Sequence, residues 1–366
     1  MKQRLLEVAL LASLVLSSPS AFAQQPVPEI PFDSVPDVLK LPTDLYLGEV
    51  SGVAVNSKGH IFVFQRGSTT GPAYAAAASQ LLEFDATGKF VREIGKGLYA
   101  WSYAHVVRVD KQDNIWVVDK GSDMIVRFNP EGRVTMVFGR KKEASDEAEP
   151  WTRVNPPRPH VDGQFRQPTD VTWDPAGNIF ISDGYINSRV AKFDKNGDWV
   201  KSWGERGTKE GELNTPHSIA ADAKGNIYVA DRGNRRIQVF DSDGKFLRVM
   251  TIDVPIPPDA KPWMGNQPTA EQAAAQNGAP WAICITPGPN QVLFASDAFP
   301  GRVYKMTLEG KVLGVLGKSG HQTKQFGWIH EIACPSENEI VVAELLNWRV
   351  QKLLLRTQAA KTSAQP

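Results

Sequence analysis

The chain has few of the residues from which metal clusters and disulfide frameworks are usually built: two cysteines, Cys284 and Cys334, and six histidines in 366 residues. Two cysteines without CxxC spacing exclude a thiolate metal knuckle, and they are too few for a disulfide framework. Either one bridge or two buried thiols fits them equally well. Charge of one sign is also lacking. The net charge is +1, and setting the first 23 residues aside leaves 39 basic and 39 acidic residues. That balance excludes the basic footprint of a nucleic-acid binder. No run of about 18 apolar residues follows the leader, which excludes a membrane-spanning helix. No amphipathic helix of useful length is apparent. An apolar fraction of 42% nevertheless excludes disorder.

Residues 1–23 read as a secretory signal, with a basic start at Lys2 and Arg4, an apolar stretch from Leu5 to Leu16 and a small-x-small end, Ala21-Phe22-Ala23, before Gln24. Cleavage after Ala23 and export to the periplasm or beyond are expected. Residues 24–37 form a Pro-rich extended segment, 38–356 the folded domain and 357–366 a polar, disordered tail.

What the chain does have is a repeat. Six copies of one phrase recur at intervals of 48 to 64 residues, beginning at 50, 104, 168, 216, 280 and 329. Each copy is an apolar strand, a turn of the Asp-x-x-Gly-Asn type and a second apolar strand ending in an acid or amide, with further strands after it. The apolar/polar alternation has period 2, and Gly, Asn, Asp and Pro punctuate it. Six four-stranded units predict an all-β fold, a six-bladed β-propeller. The last unit lacks a clear fourth strand, and residues 38–48 are expected to supply it and close the ring. Segments 67–79, 141–165 and 255–279 break the rhythm as long loops.

Aligning the copies isolates one column at the start of each innermost strand: Ser51, His105, Thr169, His217, Trp281 and His330. Three of the six histidines fall in it, on alternate units. Alternate blades are related by a rough threefold axis, so His105, His217 and His330 converge on the central channel as three ligands of a tetrahedral metal site. His60, His160 and His321 lie in turns or insertions and are read as ordinary surface or hydrogen-bonded residues. A second column, Gln65, Asp119, Asp183, Asp231, Asp297 and Glu344, ends the second strand and is read as turn-holding. The residue after it includes Arg66, Lys120 and Arg232. Arg66 and Arg232 are expected to flank the metal at the same end of the ring, where a guanidinium can fix a carboxylate. Tyr185 and Asn187 follow on the same face.

With these segments in hand, the chain resembles the peptidyl-α-hydroxyglycine α-amidating lyase family of NHL-repeat propellers. The resemblance rests on GEVSGVAVN…FQRG, YAHVVRVD…NIWVVD, QPTDVTWDPAGNIFISDGYINSRVAKF, TPHSIAAD…YVADRGNRRIQVF and WIHEIACP, spanning about residues 48–355. It implies a catalytic zinc on His105, His217 and His330, an active-site tyrosine at Tyr185, and active-site arginines at Arg66 and Arg232. It also implies a structural calcium held by the acid at Glu331 and by the carbonyls of Val53 and Val107. Trp328-Ile329-His330-Glu331 departs from the family's usual Met-Pro-His-Asp. The positions of the disulfide found in the family's animal members are Ile186 and Arg166 here, so both partners are absent together.

The activity implied is zinc-dependent cleavage of the C–N bond of an N-acyl α-hydroxyglycine, a small-molecule or peptide substrate with a carboxylate, to an amide and glyoxylate. Tyr185 is the general base beside Arg232, with Arg66 and Asn187 on the substrate and the protein a monomer. The alternative is a non-catalytic propeller that binds a ligand or protein through its loop face. A lactonase-like metallohydrolase ranks third, because such propellers typically hold calcium through Glu, Asn and Asp, and this column offers imidazoles.

Overall fold

The structure, a computed structural model, describes residues 27–67, 79–142, 155–156, 158–262 and 267–356. The expected signal sequence and polar tail lie outside the described residues, as do most of the loop 67–79 and part of the segment 141–165. No described helix is long and apolar enough to cross a membrane.

The period-2 segments form six four-stranded antiparallel sheets, the blades of a propeller. The innermost strands are Val50–Val55, Ala104–Val109, Asp170–Trp173, Pro216–Ala221, Ile283–Ile285 and Ile329–Ser336, in blades one to six. Apolar residues on both faces of each sheet pack into the next blade, giving six separate cores between neighbours. Phe62, Phe64, Trp101 and Phe128 fill the space between blades one and two. Tyr228, Ile237, Tyr304 and Met306 do so between blades four and five. Val50, Val63, Val341 and Ala343 join blade six to blade one and complete the ring. Asx turns link inner strand pairs: Asp110, Asp174 and Asp222 each accept the backbone N–H four residues on, at 2.9 Å.

The closing strand differs from the sequence expectation. Phe32–Val35, within the Pro-rich segment, pairs antiparallel with Arg349–Leu355, aligning Phe32 with Leu355 and Val35 with Lys352. Residues 38–48 do not pair there. Pro42 has no N–H to donate, and Val38, Leu39, Leu45 and Leu47 instead pack into the core between blades one and six. The segment 255–279 also holds a short helix, Ala270–Gln276. Thr269 and Gln272 form a reciprocal capping box, a start signal that the Ala-rich run conceals.

Cys284 and Cys334 form a disulfide between the inner strands of blades five and six, 50 residues apart in sequence. This decides between the two readings of the pair. Closing a loop of that length constrains the unfolded chain, so Cys284→Ala with Cys334→Ala should cost roughly 2–4 kcal/mol in denaturant melts. Thiol labelling should find no reactive cysteine until the protein is unfolded with reductant.

Candidate metal centre on the propeller axis

The histidine column opens each inner strand at the same register, and the ring therefore carries its members to one point. The centroids of the His105, His217 and His330 rings stand 4.9, 4.6 and 4.9 Å apart for the pairs 105–217, 105–330 and 217–330. All three residues are buried, with nitrogen atoms within 4.8 Å of one another. Each Nδ1 faces a backbone carbonyl of the next blade: Thr169 at 2.6 Å, Trp281 at 2.7 Å and Ser51 at 2.7 Å. A carbonyl only accepts, so Nδ1 carries the proton in each ring and Nε2 is left bare. Burial is the first cause that holds all three well below the ordinary histidine pKa; nearby cations among Arg66, Arg232 and Lys120 add to it at each, and neighbouring histidines add to it at His105 and His217. Neutral imidazoles with oriented Nε2 lone pairs and a second hydrogen bond on each ring are the donor set that zinc takes.

Tyr185 lies over this cluster. Its hydroxyl is 3.1 Å from Nε2 of His217 and 3.4 Å from Nε2 of His105. Lys120 sets its ammonium 4.2 Å from the centroid of the Tyr185 ring. Burial lowers the Lys120 pKa, with Arg66 and Arg232 adding to the fall and Tyr185 opposing it. Arg232, on a short 3₁₀ turn, stacks 3.9 Å above Trp281 and stands 5.6 Å from the Tyr185 ring. Trp281 in turn packs edge-on against His217 at 4.7 Å and against Trp328 at 4.7 Å. Arg66 is held differently. It donates to the carbonyl of Ala104 at 2.8 Å, pairs with Glu49 at 3.0 Å and lies 4.0 Å over the Tyr103 ring. Lys120 and Trp281 stand in the sequence columns, one beside Arg66 and Arg232, the other among the histidines.

Asn187 is not brought into this cluster. Its amide donates to Asp183 at 2.6 Å beneath the turn, as Asn234 donates to Asp231 at 2.8 Å and Asn347 to Glu344 at 2.6 Å. The strand-end column does hold turns. Asp119, for example, accepts the backbone N–H groups of Gly121 and Ser122 in the turn that follows it, both at 3.0 Å. His60 meets Glu83 at 2.8 Å, and His160 meets the Asn187 carbonyl at 2.7 Å.

One register position below His330, Glu331 does not meet its surroundings as a calcium ligand does. Its Oε2 accepts N–H groups from Val53 at 3.0 Å and Val107 at 3.1 Å, where the resemblance implied carbonyl ligands. Its Oε1 is 3.0 Å from Nε of Arg108. That Nε donates to Asp170 at 2.9 Å, so the contact with Glu331 is electrostatic, without hydrogen-bond geometry. The residues present do not fit a calcium ion, because a guanidinium already stands between the carboxylates.

A profile of the NHL repeat matches residues 213–240. Peptidyl-alpha-hydroxyglycine alpha-amidating lyase 1 of Drosophila melanogaster is 26% identical over 349 residues, 87% of this chain and 59% of that protein. The chain is an NHL-repeat propeller related to the amidating lyases. Peptidyl-glycine alpha-amidating monooxygenase A of Xenopus laevis is 26% identical over 330 residues, 82% of this chain and 31% of that protein. The chain thus spans less than two thirds of either relative. The solved virginiamycin B lyase of Staphylococcus aureus superposes with a TM-score of 0.55 at 13% identity, covering 90% of this chain and all of that one, which shows the shared fold alone.

The donor set of this NHL propeller predicts one divalent ion per chain. Zinc titrated into chelator-treated protein should bind at a 1:1 ratio. His217→Ala should weaken binding by about 10²-fold or more, while a conservative change at His60 leaves it unaltered.

Proposed function

We propose that the protein is a carbon–nitrogen lyase that converts an N-acyl α-hydroxyglycine to an amide and glyoxylate, and that it acts after export. The observation that carries this reading is the Tyr185 hydroxyl within reach of two bare Nε2 atoms, flanked by Lys120 and Arg232. The lyase names of relatives that cover most of the chain support it.

His105, His217 and His330 would hold a zinc ion, which when bound supplies Lewis-acid polarisation of the substrate's hydroxyl oxygen. The chain's own residues do the rest. Tyr185, as phenolate, takes the hydroxyl proton at its Oη. The O–H electron pair becomes the carbonyl of glyoxylate, the C–N bond breaks, and the nitrogen leaves as the neutral amide after taking a proton back from Tyr185. Lys120 and Arg232 both face the Tyr185 ring, the ammonium 4.2 Å and the guanidinium 5.6 Å from its centroid. Among the described residues neither lies within ion-pair distance of a carboxylate, and both can receive the substrate's carboxylate. Arg66, anchored by Glu49 and the Ala104 carbonyl, adds its charge from a fixed position. Trp281 and Trp328 offer an apolar wall for the acyl group, and this wall favours a second reading in which the same face binds a ligand without turnover.

The zinc-loaded protein, given α-hydroxyhippurate, should release glyoxylate and benzamide in equal amounts. Tyr185→Phe should lower kcat by about 10²- to 10⁴-fold with an unchanged melting temperature. Arg232→Ala should act mainly on KM, by about 10-fold or more. Tight binding of α-hydroxyhippurate with no glyoxylate formed would replace the lyase with the binding reading.

A further inference from the structure

Beneath the histidines the ring axis is crossed by one side chain. Arg108 leaves the inner strand of blade two and reaches the opposite inner strands. Its Nε and Nη2 form a bidentate pair with Asp170 of blade three, at 2.9 and 2.6 Å. Its Nη2 also lies 3.2 Å from Oγ of Ser218 in blade four and 3.3 Å from the carbonyl of Ile283 in blade five. Its Nη1 donates to the carbonyl of Ile332 in blade six at 3.3 Å, and Glu331 of the same strand stands at 3.0 Å. The two carboxylates are fully buried, and the Arg108 side chain is 14% exposed. Burial alone would lower the Arg108 pKa, but Asp170 and Glu331 outweigh it and raise it.

This is an oxygen-rich cage of two carboxylates, two carbonyls and a hydroxyl, drawn from blades three to six, and it is filled. Hard-oxygen cages of this make-up are what calcium occupies. We propose that Arg108 is the axial cation of this propeller: its guanidinium does the charge-neutralising and blade-joining work of a calcium ion, and the ring neither binds nor needs one. The inference is independent of the lyase reading. It concerns stability and metal content and needs no turnover.

The test compares the natural chain with Arg108→Ser. The natural chain, purified without chelator, should contain no calcium by elemental analysis. Its melting temperature should be the same in EGTA and in millimolar calcium. One calcium per chain, or a rise of about 5 °C or more in calcium, overturns the proposal. Arg108→Ser leaves Asp170 and Glu331 facing a vacated cage. Its melting temperature should fall in EGTA and recover in part with calcium. A variant as stable as the natural chain in EGTA, or one that calcium does not raise, overturns the equivalence of guanidinium and metal. If the variant does not fold, the calcium content and melting behaviour of the natural chain still decide the matter.

Discussion

The charge of Arg108 is held on the ring axis between two carboxylates from opposite sides, Asp170 of blade three and Glu331 of blade six. A buried carboxylate is costly unless it is paired and hydrogen-bonded, and both are supplied from several blades at once. Asp170 also accepts from Ser218 at 2.7 Å and from the Ile219 N–H at 3.0 Å. Glu331 accepts from Val53 and Val107. Every blade thus contributes an atom to one polar knot. The knot leaves no room for a side chain on blade one: a Cβ at Gly52 would lie 2.7 Å from the Val107 nitrogen and 2.9 Å from Oε2 of Glu331. The six apolar cores fix the blades sideways, and the knot fixes their inner ends.

The histidine cluster rests on that support. His330 and Glu331 are consecutive on one strand, so the anchorage of Glu331 from blades one and two also sets the height and direction of the His330 ring. Above it the charges change sign. The knot is rich in carboxylates, whereas the mouth collects Arg66, Lys120 and Arg232 around neutral imidazoles. A divalent ion would deepen the positive field at the mouth, and the aromatic faces of Tyr185, Tyr103 and Trp281 hold the cations without cancelling their charge.

The blades were legible in the sequence because their signals are local: period-2 strands, Asx turns and a recurring phrase. The three histidines were legible because they share one repeat position. Arg108 was not, because an arginine on an alternating strand reads as a solvent-facing residue. A comparison across copies would have exposed it, since its column holds Ala54, Thr172, Ala220, Cys284 and Ala333 otherwise, all smaller. The column beside the histidines likewise carries its only two acids, Asp170 and Glu331, in blades three and six. The place of Asn187 is not legible, because the face of a loop does not say whether a side chain points up to the solvent or down to its own strand-end acid, as Asn187 does. The closing strand is hard to read for a similar reason. Apolar residues at 38–48 satisfy a core as readily as a sheet edge, and only Pro42 argued against pairing.

The hydrogen bonds of the three histidines run to blades three, five and one, never to their own blade. Each ligand is therefore oriented by its neighbour. The first and last of them are separated by most of the chain, and blade six is finished only when the strand at Phe32–Val35 comes round to it. No half-assembled chain can present the complete set of nitrogens. An ion that needed all three would be accepted only after the two ends of the propeller had met, so that loading would follow folding.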